Sequence, residues 1–275
     1  MFDAALFYLL NPCDRNDSMK IFVCVKHVPD SAATIRIIEP NQIDEKITFL
    51  LNPYDENAVE AAVQLKAGSD DTDVIAVTVG KPAAIDTLKS ALAMGADRGI
   101  HVVTDHWPDS IVTAYALQAA ITKEGDPDLI LTGKAAIDSD GYQTQFRLAA
   151  ALDMPIATNV GSITLHDDAV TVTCGLEAGG EQVIRMTWPC VIGAAKTLNT
   201  PRYPTLPDII KARKKEIREV PIEDLAIEPP DSRMEIVSFR TAVQERRKRM
   251  IDGSPDEAVA ELVRRLKEEA RIPLS

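Results

Sequence analysis

The chain has 275 residues, 45% of them hydrophobic, enough to build a full core and to exclude wholesale disorder. Its 42 acidic against 30 basic side chains leave a net charge of −12, which argues against a nucleic-acid partner. No run approaches ~18 uninterrupted apolar residues, so no segment reads as a membrane span.

Residues 1–18 stand apart. Phe2–Leu10 is apolar but short, with neither a basic n-region nor a small-residue cleavage site, and the polar stretch Asn11–Ser18 leads straight to Met19. They read as an over-long start outside the fold, with an anchoring helix as the alternative. From Met19 strand-like runs alternate with helix-period segments. Ile21–Val25, Val74–Val79, Ile100–Val103 and Leu129–Leu131 are the strands. Between them, Asn52-Pro53 opens a helix that Gly68 ends, Pro82 opens a second that stops before Gly95, and a third runs from about Pro108 to Lys123. A fourth helix starts near Asp140 and ends before Pro155. This order predicts an α/β fold, a mostly parallel sheet with helices on both faces.

After Pro155 the texture changes. Val160–Leu165, Ala169–Cys174 and Gln182–Trp188 are short strands whose separators, Asp167-Asp168 and Gly179-Gly180, suggest hairpins, while Val191–Ala195 can rejoin the main sheet. Beyond Pro201 the chain is Pro-rich and charged. Only Pro255–Ala270 there has a clear helical period, and Lys211–Arg218 reads as a solvated basic face. The expected organisation is an α/β domain over 19–200 and a C-terminal arm over 201–275. The arm has too few apolar residues to fold alone and must lie on its own core or on a partner.

The familiar catalytic signatures do not occur: no P-loop, no G-x-G-x-x-G after a strand, no H-E-x-x-H and no G-x-S-x-G. His27, His101, His106 and His166 lack metal-ligand spacing and read as surface or sheet-end residues. Cys13, Cys24, Cys174 and Cys190 form no C-x-x-C pair, so neither zinc nor a disulfide framework is expected, and a reducing compartment fits. The most informative segment is Leu131–Thr144, which follows a strand and precedes a helix, where parallel sheets bind ligands. Gly133 and Gly141 permit close backbone approach, and amides around Gly141–Thr144, with Ser139 and Gln143, would face a phosphate. Simple helix capping by Ser139 or Asp140 is the competing reading. Asn52-Pro53-Tyr54-Asp55 is a second loop-to-helix junction, explained equally by capping. Thr197–Pro207, with apolar Leu198, Tyr203 and Leu206, is either a partner-docking loop or a loop packed on its own domain.

At these places the sequence resembles the β subunit of electron transfer flavoprotein. The matching stretches are Val23–Asp30, Asn52–Glu60, Ala91–Arg98, Leu131–Thr144 and, most specifically, Pro201–Ala212. The resemblance covers roughly 19–270. It implies a heterodimer with an α subunit that holds the redox-active FAD, while the β chain binds AMP as a structural ligand. Carried over by position, the AMP pocket would use Cys24, Asn52, Pro53, Tyr54, Asp55, Val79 and Gly133, then Lys134, Ala135, Ala136, Ile137, Asp138, Ser139, Asp140, Gly141, Tyr142, Gln143 and Thr144. The docking loop would grip acyl-CoA or other dehydrogenases as electron donors, with Leu198 as apolar anchor and Tyr203 beside it. A membrane quinone oxidoreductase is the acceptor the resemblance suggests, and the C-terminal arm would wrap the α subunit. No catalytic residue and no metal is expected of this chain, and the cytoplasm, or the mitochondrial matrix in a eukaryote, is its expected compartment.

Two positions depart from the family pattern. Ala135 stands where many relatives have Gln, and Ser31 replaces a Tyr that in some relatives lies near the flavin. A bifurcating branch holds a second FAD in the β pocket. The ending Gln143-Thr144 is nearer the AMP type, and the second FAD stays the alternative. An ATP-hydrolysing or adenylating enzyme of the same fold would need an S-G-G-x-D-S-like loop after the first strand, where this chain has His27-Val-Pro-Asp-Ser31. A free-standing nucleotide sensor is the third reading.

Overall fold

The computed structural model describes residues 19–68, 71–225, 234–241 and 250–269. The expected extension at 1–18 and the end of the last helix at Ala270 lie outside the described residues.

In chain order the elements are β1 (Met19–Cys24), β2 (His27–Pro29), β3 (Ile37–Glu39), β4 (Gln42–Ile43), β5 (Phe49–Leu51) and α1 (Pro53–Ala67). There follow β6 (Thr72–Gly80), α2 (Ile85–Met94), β7 (Arg98–Val103), α3 (Ser110–Glu124), β8 (Leu129–Gly133) and α4 (Thr144–Ala151). The second half holds β9 (Ile156–Leu165), β10 (Ala169–Gly175), β11 (Glu181–Thr187), β12 (Cys190–Ala194), α5 (Leu206–Ala212), β13 (Ile217–Pro221) and α6 (Pro255–Glu268).

The main sheet runs β11-β10-β9-β12-β8-β1-β6-β7-β13. From β9 to β13 every neighbouring pair is parallel, and β9-β10-β11 form an antiparallel meander. The central strands are apolar on both sides because helices cover both. In β1, Ile21 and Val23 join the core beneath α1 and α2, while Phe22 and Cys24 join the one beneath α3 and α4. That alternation is the period-2 geometry of a strand buried on both faces. The α/β architecture read from the sequence is thus the one found, including β12, which returns to the sheet between β8 and β9.

Four local expectations need correction. The fourth helix starts at Thr144, not near Asp140, because Asp140 (φ 45°) and Tyr142 (φ 55°) adopt left-handed backbone that no helix accommodates. Beyond Pro201 two further elements form, α5 and the edge strand β13, which pairs with β7. The basic run Lys211–Arg218 is accordingly not all solvated face. Lys215 Nζ donates to the carbonyls of Leu92 (3.0 Å) and Ala96 (2.6 Å), capping the C-terminal end of α2, and Arg218 pairs with Glu124 at 2.6 Å. Finally, His101 is no surface residue. It is fully buried in β7, flanked by β6 and β13, with Nε2 3.2 Å from the Gly80 carbonyl.

Candidate functional site

The chain steps outward from β1 to β6 and β7, then returns to the other side of β1 with β8 and β12. The direction of winding therefore reverses between β1 and β8, and the crevice at their carboxyl ends is where open parallel sheets take ligands. Cys24, Val79 and Gly133 close the neighbouring strands β1, β6 and β8 at that end. Above them sits the N-terminus of α1, opened by Pro53, which needs no backbone donor at that position. Asp55 turns its buried carboxylate into the reversal point, accepting from Lys26 N–H at 2.7 Å and Gly133 N–H at 2.9 Å. One side chain thus bolts the ends of β1 and β8 to α1. Gly133 has no side chain because that helix leaves no room: an added Cβ would overlap Asp55 Oδ1 and lie 2.7 Å from Tyr54 Cβ. The close approach expected at this glycine is made by the protein's own helix.

The loop from Lys134 to Gln143 leaves β8 and is held from two sides. Asn52, the residue before α1, makes no capping bond with its side chain. Its Nδ2 donates to the Ala135 carbonyl at 2.8 Å and its Oδ1 accepts from Ile137 N–H at 3.1 Å. Gln145, on the far side, donates to the Lys134 carbonyl at 2.7 Å. Lys26 Nζ reaches both oxygens of Asp138, at 2.8 and 2.7 Å, and ties the loop across the crevice to the end of β1. Ala136 O accepts from Asp140 N–H at 2.9 Å, closing a tight turn. Among the described residues, no acceptor meets the amides of Ala135, Ala136, Asp138, Gly141, Tyr142, Gln143 and Thr144. A run of backbone donors ending at a helix N-terminus suits a phosphate or another anion, since the amides and the helix dipole favour negative charge. Gly141 has open space around it and an ordinary φ, and the left-handed turns fall on Asp140 and Tyr142. Such strain on non-glycine residues costs about 1–3 kcal/mol apiece and tends to gather at binding loops.

Burial pushes the Asp55 carboxyl up to about 7, against hydrogen bonds from Asn52, Lys26 and Gly133 that pull it down. Burial also pushes the Cys24 thiol well up, with the Asp55 charge adding to it, so Cys24 behaves as a packed apolar group. Among the described residues no cluster of His, Cys, Asp and Glu is placed to hold a metal ion, and no helix is long and apolar enough to cross a membrane.

The second predicted locus, the loop after β12, is clipped to the flank of α1. Asn57 Nδ2 donates to the backbone carbonyl (2.9 Å) and the side-chain oxygen (3.0 Å) of Asn199, and Asn199 Nδ2 returns a bond to the Asn57 carbonyl at 3.0 Å. Arg202 grips Glu60 with two nitrogens, Nε at 2.7 Å and Nη2 at 2.9 Å. Burial pushes Glu60 up, but Arg202 and Gln64 outweigh it and hold the carboxyl below its usual range. Leu198 and Tyr203 sit in different surroundings. Leu198 is half-buried and packs on the core, whereas Tyr203 is 96% exposed and continues into Leu206, Ile209 and Ile210 on the outer side of α5. Asn57, Glu60, Arg202 and Gln145 escaped the sequence reading. The available signal was that Asn57, Glu60 and Arg202 lie in Asn52–Glu60 and Pro201–Ala212, stretches that carry the resemblance but name no contact between them.

Parallel sheet, winding reversal and donor-lined loop define a doubly wound α/β protein with an anion-suited crevice at its switch point. Residues 41–225 match the model of the electron transfer flavoprotein domain. Over 261 residues the chain is 40% identical to the mitochondrial electron transfer flavoprotein subunit beta of Oryza sativa subsp. japonica, covering 92% of this chain and all of the relative. It is 36% identical to the human electron transfer flavoprotein subunit beta, covering 92% and 99% of the two chains. The bacterial subunit beta of Syntrophomonas wolfei is 33% identical, covering 93% and 98%. The chain belongs to the electron transfer flavoprotein β-subunit family.

Proposed function

We propose that this chain is the nucleotide-holding and partner-docking half of a heterodimeric electron carrier. AMP sits in the switch-point crevice as a structural ligand, and the redox-active FAD is held by an α subunit. The observation that carries the reading is that, among the described residues, seven of the ten amides between Ala135 and Thr144 meet no acceptor, in a loop held by Asn52 and closed by the Lys26–Asp138 pair. These residues fit a nucleotide phosphate: neutral donors hold the anion in a protein whose net charge of −12 would otherwise repel it. The buried Cys24 and the half-buried Val79 supply apolar wall at the strand ends. The loop around Leu198 and Tyr203, with the exposed side of α5, offers the docking face for donor dehydrogenases. Electrons pass through the α-bound flavin, and this chain's residues bind, orient and recruit.

Reconstitution tests the proposal. The purified chain alone is expected to hold no stable redox-active flavin, and adding the α subunit with FAD is expected to restore dehydrogenase-linked reduction. Full electron transfer by the isolated chain would refute it.

A further inference from the structure

We infer that Gln145, which lies outside the nucleotide loop, is a positioning residue that fixes the first unengaged amide of that loop, Ala135 N–H, and that Gly193 is the notch that admits it. The inference rests on the nucleotide-binding reading above. Gln145 is the second residue of α4 and only 4% exposed, so it acts through the backbone it holds. Its Oε1 accepts from Thr158 Oγ1 at 3.1 Å on β9 and Thr132 Oγ1 at 3.4 Å on β8. Its Nε2 donates to the Lys134 carbonyl at 2.7 Å. The orientation is forced, because only the amide nitrogen has protons to give a carbonyl.

A peptide unit is planar, with its carbonyl and N–H pointing opposite ways. Fixing the Lys134 carbonyl therefore fixes the direction of the Ala135 N–H. Asn52 does the same for the next unit, holding the Ala135 carbonyl and thereby the Ala136 N–H. Among the described residues neither N–H meets an acceptor. The two carbonyls are held from opposite flanks, so the two N–H groups also point to opposite sides: Gln145 turns the Ala135 N–H, left unspent, toward the flank of Asn52 and the N-terminus of α1, which walls the crevice.

Gly193 explains how a side chain of this length reaches the place. It lies on β12, between β8 and β9, opposite Thr132 in register. A Cβ there would overlap Gln145 Oε1 and stand 2.7 Å from Thr158 Oγ1. Gly193 and Gln145 therefore form one device: any side chain at 193 expels the amide at 145.

The test uses the heterodimer co-expressed with its α subunit, stripped of nucleotide and titrated with AMP by calorimetry. Gln145→Ala and Gly193→Ala are each expected to weaken AMP binding about fivefold to tenfold, the effect of losing one well-placed hydrogen bond. The double variant should bind no more weakly than the worse single, because both changes remove the same contact. Gln145→Met, which keeps the volume without the donor, should behave like Gln145→Ala if the latter proves unstable. The rise in melting temperature on adding AMP should shrink in each variant. A purely structural role would lower the melting temperature with and without AMP alike and leave affinity untouched. That outcome, or single effects that multiply in the double variant, overturns the assignment. A wild-type heterodimer that takes up no AMP overturns the underlying reading instead.

Discussion

At the scale of single residues the site depends on Asp55. Its carboxylate touches the ends of both strands flanking the winding reversal, through Lys26 and Gly133. Burial raises it from 3.8 to about 7, so the folded chain holds a proton there that the unfolded chain releases at lower pH. Its contribution to stability is therefore complete below the unfolded value and fades as pH rises through about 7. Burial lowers His27 and His101, which add stability as pH rises toward 6.5, so Asp55 is read from the difference: urea midpoints measured from pH 5 to 8 should fall less, or rise more, with pH in Asp55→Asn than in the wild type. Equal slopes would remove Asp55 from the account. Gly133→Ala forces a methyl against Asp55 and Tyr54 and should cost about 1–3 kcal/mol in the same denaturation experiment, with nucleotide lost in parallel. The sequence marked Gly133 and Asp55 as residues of interest. It could not say that they meet, because a contact spanning 78 positions is made by topology and leaves no local pattern.

At the scale of elements, α1 is the strut between the two loci. Its N-terminus forms one wall of the switch-point crevice, and Asn57 and Glu60, four and seven residues after Pro53, hold the loop after β12. Arg202→Ala leaves a buried Glu60 without its guanidinium and should cost about 1–3 kcal/mol of stability. It should also raise the KM for the donor dehydrogenase while nucleotide content stays near that of the wild type. Parallel loss of nucleotide would show that the two loci are not separable along this helix. Leu198 and Tyr203 should separate in the same assays. Tyr203→Ala should raise the donor KM with no change in stability. Leu198→Ala should also cost about 1–2 kcal/mol, roughly half the price of emptying a fully buried leucine site. The strands buried on both faces were readable because their apolar runs are continuous. β13 was not, since an edge strand reading Ile-Arg-Glu-Val-Pro carries only two inward apolar residues within a charged stretch. The start of α4 was misread for a different reason: left-handed turns at Asp140 and Tyr142 have no compositional mark when glycine is not the residue that makes them.

At the scale of the whole molecule, the described C-terminal pieces carry a series of exposed apolar side chains. Val259, Leu262 and Val263 lie on one side of α6, which buries none of its residues, and Met234, Ile236, Val237 and Phe239 are exposed along a strap. The strap bonds from Phe239 N–H to the Pro40 carbonyl between β3 and β4, near the exposed Ile35, Ile37 and Ile38. Surfaces of this kind belong against a partner, as the family's two-subunit organisation proposes. Leu262→Glu should reduce the α subunit recovered with the chain on co-purification, while the nucleotide crevice keeps its ligand. The most direct measurement is the nucleotide and flavin content of the purified heterodimer after denaturing extraction. The account predicts one AMP and one FAD per complex, with the AMP lost first in Gly133→Ala. Two FAD and no AMP, or a crevice that yields no nucleotide at all, would contradict it.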